Sequence, residues 1–307
     1  MVLELAMNLL KKNKCEYTNC YITHNKSHKS SSEYDAIVFH APLLYLWPAI
    51  SNRAYHQRYV FFSKESPVNI RPYHHFGNFF NWTITYREDS DIYFPKGEIK
   101  RREKRVKREY KTFTKQNLVV WMVSHCQTHG HREDYIDELR RYIQVDVYGT
   151  CGANRCLSEY LEECYNMIQN NYKFYLSFEN SLCKDYVTEK LFNILQYDVI
   201  PVVYGSADYN RILPPNSYIN ALDYSPSELA NLLRDIGDDL IKYQRYFKWK
   251  EEYYLHIYDI KHAFCELCKK LHTDTEKKSY RNFNKWWIDG SNCTKGPIIR
   301  SAPVLNF

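Results

Sequence analysis

Residues 172–205 read YKFYLSFENSLCKDYVTEKLFNILQYDVIPVVYG, and this stretch decides the fold. Tyr172–Phe178 is dense in aromatic residues and reads as a buried strand. Asp185–Gln196 places Val187, Leu191, Ile194 and Leu195 at helical spacing. Val199–Val203 is a second short apolar run, closed by Gly205. A strand-helix-strand unit of this length is a βαβ crossover, so its two strands are expected to be parallel. Ligands of parallel sheets sit beyond the carboxyl ends of strands. Glu179, Asn180, Asp185, Tyr186, Glu189 and Lys190 follow the first strand and cluster there.

The pattern extends in both directions. Leu118–Ser124 reads as a strand, Arg132–Tyr142 as a helix, Val145–Tyr148 as a strand and Leu157–Gln169 as a helix. That alternation predicts an α/β, doubly wound parallel sheet. Further upstream, Asp35–Ala41 and Arg58–Ser63 read as strands and Ile92–Phe94 as a shorter one, among loops punctuated by Pro42, Pro48, Pro67 and Pro72. Asn69–Gly97 gives no regular assignment. Ser225-Pro226-Ser227-Glu228 is a capping box that opens a helix, and helical character continues, interrupted near Gly237, to about Leu271.

The 307 residues are 44% hydrophobic and 16% aromatic, with 29 tyrosines, which suits a soluble chain of one large or two moderate domains. The net charge of +6 is local: Lys96–Lys115 holds ten Lys/Arg against three Glu, or +7, leaving −1 elsewhere. Such a run reads as a solvated linker, so nucleic-acid binding is not expected. Taken as the interdomain boundary, it divides the chain into residues 1–115, residues 116–275 and a tail, 276–307. Ten cysteines and three glycosylation sequons, at Asn25, Asn81 and Asn292, point to an oxidising lumen. No apolar run reaches the ~18 residues of a membrane span, and the N-terminal apolar stretch is too short and too acidic for a signal peptide.

The string Phe178-Glu179-Asn180-Ser181, Asp185-Tyr186-Val187-Thr188-Glu189-Lys190 and Ile200-Pro201-Val202-Val203-Tyr204-Gly205 resembles the signature of the α-1,3-fucosyltransferases. Lys64–Pro67 (KESP), Thr85–Gly97 (TYREDSDIYFPKG) and Cys265–Cys268 (CELC) agree with it, so the resemblance covers roughly residues 35–290. It implies a GT-B architecture of two Rossmann-like domains facing across a cleft, with the acceptor held by the first and the donor by the second. It implies GDP-fucose as donor, inversion, no required metal with Mn²⁺ at most stimulatory, and an acceptor glycan containing N-acetylglucosamine, either an N-glycan core or an antenna. Members of the family are Golgi membrane proteins with a tail, one transmembrane helix and a stem. The expectation is therefore a lumenal catalytic region without its anchor.

The transfer needs a base, positive charge for the leaving pyrophosphate, and a held donor. Lys190, in the first turns of the signature helix, and Arg132, at the start of the next helix upstream, are the expected cations, the arginine as a bidentate fork. Glu189 suits the ribose diol. Tyr186 and Asn180 are expected to contact nucleotide or fucose, and Ser124 the phosphates. Glu179 is placed among the donor-binding residues, with bracing of the loop through backbone N–H groups as the equal alternative. The expected base is Glu65, at the carboxyl end of the strand Arg58–Ser63, with His74-His75 as competitors.

Alternatives stand beside this reading. Asp89-Ser90-Asp91 is a D-x-D of the kind that binds metal in GT-A glycosyltransferases. A catalytically inactive, glycan-binding paralogue would keep the fold without needing a base. Two cysteine/histidine clusters, His125-Cys126-His129-His131 and Cys265-Cys268-His272, suggest zinc, but a loop over the donor site and disulfides are the preferred readings. The resemblance implies that Cys15 and Cys20 are tied to the C-terminal C-x-x-C, with the connectivity open. Cys151, Cys156, Cys164 and Cys183 are expected to form one or two further pairs.

Overall fold

The computed structural model describes residues 8–297, apart from 13, 26, 47–52, 71–75, 111, 113–114 and 157–160. The chain forms two compact units. One comprises the chain up to Lys96 together with Tyr258–Asn292, and the other Gly97–Ile257 with the segment that starts at Cys293.

The first unit is built on a parallel sheet of four strands, β1 (Ala36–His40), β2 (Arg58–Ser63), β3 (Trp82–Thr85) and β4 (Ile92–Tyr93), in the order β1-β2-β3-β4. Successive strand residues point to opposite faces. Val60 of β2 therefore packs with Trp82, Ile84, Ile92 and Phe94 against Ala263 and Leu267 of the helix Ile260–Thr273. Phe61 turns the other way and meets Phe283 at 4.7 Å and Trp287 at 5.0 Å between ring centroids, on the short helix Phe283–Trp287. Both faces are covered, as a parallel sheet requires. The helix Ile260–Thr273 is pinned to the N-terminal segment by Cys15–Cys265 and Cys20–Cys268.

The second unit holds β5 (Gly97–Arg101), β6 (Asn117–Met122), β7 (Val145–Tyr148), β8 (Tyr172–Phe178), β9 (Ile200–Tyr204), β10 (Ile219–Asn220) and β11 (Tyr253–Ile257). Five of these make a parallel sheet in the order β10-β9-β8-β6-β7, which puts the signature strand β8 at its centre. Phe174, Leu176 and Phe178 pack against Tyr135, Ile136 and Leu139 of the helix Arg132–Leu139 and Leu229, Ala230 and Leu233 of the helix Pro226–Asp238. Tyr175 faces the opposite layer, with Tyr165 and Ile168 of the helix Leu161–Asn171 and with Ile194. The capping box at Ser225 forms, its side chain and that of Glu228 bonding each other's backbone N–H. Two parallel sheets, each sandwiched by helices, make the chain α/β, of GT-B type.

The expected domain limits at 115 and 275 lie elsewhere in the structure. β5 pairs antiparallel with β11, so the chain enters the second unit at Gly97. The basic run is no free linker. Arg102 donates to the Lys250 and Tyr253 carbonyls, Arg105 pairs with Glu251, and Arg108 with Asp198. Lys115 is buried and donates to the carbonyls of Tyr172 and Asp198. Downstream, the chain returns to the first unit at Tyr258, because Ala263 and Leu267 complete its core. β3, β5, β10 and β11 fall where no strand was expected.

Candidate active site

β6, β8 and β9 run parallel, so residues 123–131, 179–188 and the chain after Tyr204 gather at one edge of the second unit's sheet. The signature helix is shorter than its apolar spacing predicts and spans only Glu189–Ile194. Asp185 adopts a left-handed backbone, with φ of 60°, and Thr188 caps the helix with its side chain.

Glu179 is fully buried at the end of β8. Its Oε1 accepts from the Thr188 N–H at 2.8 Å and the Thr188 hydroxyl at 3.0 Å. Its Oε2 faces the Lys190 ammonium at 3.2 Å, and the same ammonium lies 2.8 Å from the Thr188 hydroxyl. Of the two readings of Glu179, the geometry is that of the brace: the carboxylate caps the helix and holds a cation. Burial lowers the Lys190 pKa, but the Glu179 and Glu189 carboxylates outweigh it and the net shift is upward. Lys190 is thus a permanent cation whose side chain is 21% exposed. Glu189, 48% exposed, stands 3.6 Å from it.

Arg132 is almost wholly buried at the head of the helix Arg132–Leu139. One guanidinium nitrogen donates to the Phe178 carbonyl and another to the His125 carbonyl at 3.0 Å, while Nε has no hydrogen-bond partner among the described residues. The expected two-pronged phosphate grip is therefore replaced by a tie between the ends of two strands. Burial lowers its pKa, against the pull of Glu179 and Glu133. Tyr186 is buried too, with its N–H on the Cys183 carbonyl, which makes it part of the wall rather than an open contact. Asn180 is nearly buried; its Oδ1 accepts from Ser181 and its carbonyl accepts from the Gly130 N–H at 2.9 Å. Ser124 is exposed after β6, and its carbonyl accepts from Thr150 at 2.9 Å.

Glu65 lies in the first unit, just past the carboxyl end of β2. It is half-buried, and its Oε1 accepts from the Ser66 N–H at 3.1 Å and Asn69 Nδ2 at 3.0 Å. His74 and His75 lie outside the described residues. The D-x-D carboxylates bond separate cations. Asp89 pairs with Arg87, while Asp91 bonds Lys278 at 2.6 Å and accepts from Thr83 and Tyr280. Among the described residues, the only grouping with metal-ligand spacing is Cys20, Cys268 and His272, and its two cysteines are joined as a disulfide.

All ten cysteines pair. Cys126–Cys151 and Cys156–Cys164 hold the loops after β6 and β7. Cys183 does not join that group; it bonds Cys293, which the sequence reading left in the tail. Thr188 was also missed, although a threonine before Glu-Lys at a helix start is a readable cap. Tyr204, whose hydroxyl donates to the Gly130 carbonyl at 2.7 Å, gave no comparable signal.

The two parallel-sheet units are those a GT-B architecture requires, and the second carries a buried carboxylate that holds a cation at its strand-end edge. The fucosyltransferase N-terminal family model matches residues 3–97, and that of the glycosyltransferase family 10 (fucosyltransferase) C-terminal region matches residues 112–286. The chain belongs to this family of fucosyltransferases. It is 37% identical over 305 residues to the alpha-(1,3)-fucosyltransferase C of Drosophila melanogaster, covering 90% of this chain and 70% of that one. It is 34% identical over 278 residues to a 4-galactosyl-N-acetylglucosaminide 3-alpha-L-fucosyltransferase of Pan troglodytes, covering 88% and 75%. A crystal structure of an alpha1,3-fucosyltransferase with GDP-fucose superposes with a TM-score of 0.51 at 17% identity, over 73% of this chain and 77% of that one, a likeness of fold.

Proposed function

We propose that the chain transfers fucose from GDP-fucose, with inversion, to an N-acetylglucosamine hydroxyl of a glycoprotein glycan. The observation that carries this reading is the Glu179–Thr188–Lys190 arrangement in a member of the fucosyltransferase family. It supplies a fixed positive charge at the edge where ligands of parallel sheets bind. Lys190 receives the negative charge that develops on the pyrophosphate, and a preorganised charge costs no reorganisation at the moment of reaction. Arg132 holds the loop ends and adds its field. Glu189 takes the ribose hydroxyls, while Asn180 and Ser124 line the donor, with Tyr186 behind them.

Glu65 takes the acceptor proton. The Ser66 N–H and the Asn69 amide fix one oxygen of its carboxylate. No metal is needed in this scheme, since protein cations balance the leaving group. Five disulfides suit the oxidising lumen of the secretory pathway, and the Golgi is the proposed compartment. Among the described residues no helix is long and apolar enough to cross a membrane. The test is incubation with GDP-fucose and a panel of defined glycans, read by mass spectrometry. One added fucose on glycans bearing N-acetylglucosamine is the expected result, and no transfer to any of them would overturn the reading.

A further inference from the structure

The segment that starts at Cys293 read as a tail from sequence, but it is part of the strand-end edge. Cys293 is bonded to Cys183, two residues beyond the Phe178–Ser181 signature. Thr294 pairs antiparallel with Leu182, its N–H donating to the Leu182 carbonyl at 2.8 Å. Gly296 then packs so closely that a Cβ there would overlap the Tyr204 hydroxyl and the Gly130 carbonyl. Those two groups are themselves bonded, and Gly130 donates to the Asn180 carbonyl. A disulfide, a bridge and a glycine contact thus fix Lys295 between them, against the loops that follow β6, β8 and β9.

Lys295 is exposed and, among the described residues, has no carboxylate partner. It acts electrostatically on His129, whose protonation is disfavoured by burial first and then by Lys295 and His131. His129 Nδ1 is buried and, among the described residues, has no hydrogen-bond partner. The carboxylates of these loops are already engaged: Glu179 with Thr188 and Lys190, Glu133 with Thr128, and Asp134 with His131. Lys295 therefore adds to this edge a positive charge that, among the described residues, no carboxylate pairs.

We propose that Cys293–Gly296 completes the donor site and that Lys295 is a donor-binding residue, contacting the diphosphate of the sugar nucleotide. The proposal rests on the GDP-fucose reading above. It gives the Cys183–Cys293 bond a role beyond stability, since that bond delivers the cation from a region distant in sequence.

The experiment is calorimetry with GDP on the purified enzyme, alongside its Lys295→Ala, Lys295→Arg, Lys190→Ala and Lys242→Ala variants, with melting followed by circular dichroism. Lys295→Ala is expected to weaken GDP about tenfold at unchanged melting temperature, a typical loss for one hydrogen bond to a charged group. Lys295→Arg should keep most of the affinity. Lys242→Ala, which removes a surface cation paired with Asp235, should change nothing. Cys293→Ala should weaken GDP as Lys295→Ala does, and combining the two should add little, since both act through one contact. If Lys295→Ala binds GDP normally while Lys190→Ala does not, this proposal falls and the donor reading stands. If the unmodified enzyme binds no GDP, both fall together.

Discussion

The Glu179 carboxylate and the Lys190 ammonium, eleven residues apart in the chain, stand 3.2 Å from each other with the Thr188 hydroxyl bonded to both. A buried carboxylate is costly unless it is paired and hydrogen-bonded. Here the Thr188 N–H, the Thr188 hydroxyl and the ammonium together meet that demand. The end of β8, the cap of the next helix and the cation therefore rise or fall as one unit.

Removing either partner is expected to damage both stability and donor binding. Glu179→Gln removes the nearer of the two carboxylates on the Lys190 ammonium; because Glu189 stays 3.6 Å away and the lysine is partly exposed, the cost should fall below the ~3–5 kcal/mol of a fully buried pair. Urea unfolding should show this as a lower midpoint at an unchanged slope. Lys190→Ala should weaken GDP by more than tenfold and also lower the midpoint, since Glu179 is then left unpaired. Normal GDP affinity in folded Lys190→Ala would remove Lys190 from the site.

Transfer is expected to survive EDTA, because Lys190 and Arg132 supply positive charge to the leaving group. Asp91→Asn tests the competing D-x-D reading from the other side. It breaks the Lys278 pair and weakens the bonds from Thr83 and Tyr280, so it should lower stability. Activity lost in EDTA, restored by Mn²⁺, and insensitive to Mn²⁺ in Asp91→Asn would make Asp89 and Asp91 ligands after all.

The βαβ unit at 172–205 was legible because its periodicity is local, although the Thr188 cap was passed over and the helix was drawn too long. The seven residues of β8 and the apolar run of β9 needed no distant information. The basic run misled because its acceptors are remote. Arg105, Arg108 and Lys115 look solvated until Glu251 and Asp198 fold back onto them. β3 is four residues, all buried, and alternation cannot reveal a strand that is buried on both faces. In the site, Lys190, Glu189 and Arg132 were readable as charges at strand ends. That Glu179 faces inward, that Arg132 bonds carbonyls, and that Cys183 reaches Cys293 depend on packing that the local sequence does not encode.

The Lys115–Asp198–Lys250 cluster predicts a pH response. Burial lowers the Lys115 pKa to about 7, opposed by Asp198 and assisted by Lys250. Burial likewise lowers Lys250 to about 8, opposed by Asp198 and assisted by Arg108. An unfolded lysine titrates near 10.4. Between about pH 7 and pH 10 the unfolded chain therefore binds more protons than the native one, and stability should rise with pH across that window. Below about pH 7 both states are protonated and the full penalty of the buried charges is present. Thermal unfolding at pH 6, 7.5 and 9 measures the slope, and Lys115→Met should flatten it. A slope unchanged in that variant would refute the assignment.

The three sequons are not equivalent. Asn81 is 8% exposed, its side chain accepts from the Tyr59 N–H at 2.7 Å and donates to the Lys278 carbonyl at 2.8 Å. Asn25 and Asn292 are exposed. Protein secreted from a eukaryotic host should therefore carry glycans at Asn25 or Asn292 and none at Asn81, as peptide mass mapping would report. A glycan on Asn81 would require the loop before β3 to be open. Asn81→Gln, by contrast, should be destabilising, because it strains both of these bonds just before a strand.

Glu65→Gln is the sharpest test of the proposed chemistry. The carboxylate lies past the end of β2, and one of its oxygens accepts from the Ser66 N–H and from Asn69. A glutamine oxygen can accept both of those bonds, so shape and local order should persist while basicity is lost. Turnover should fall about 10²–10⁴-fold, the usual range for losing a positioned general base. GDP affinity should stay nearly unchanged, because Glu65 and the Glu179–Lys190 pair belong to different units. Asn69→Ala should cost less, since it removes one bond to the carboxylate and not the carboxylate itself, and chiefly through kcat. Slow hydrolysis of GDP-fucose is expected to suffer less than transfer, as water does not use the acceptor pocket. Near-normal transfer by Glu65→Gln would move the base elsewhere, with His74 and His75 next to be replaced. A loss of GDP affinity would instead mean that Glu65 touches the donor.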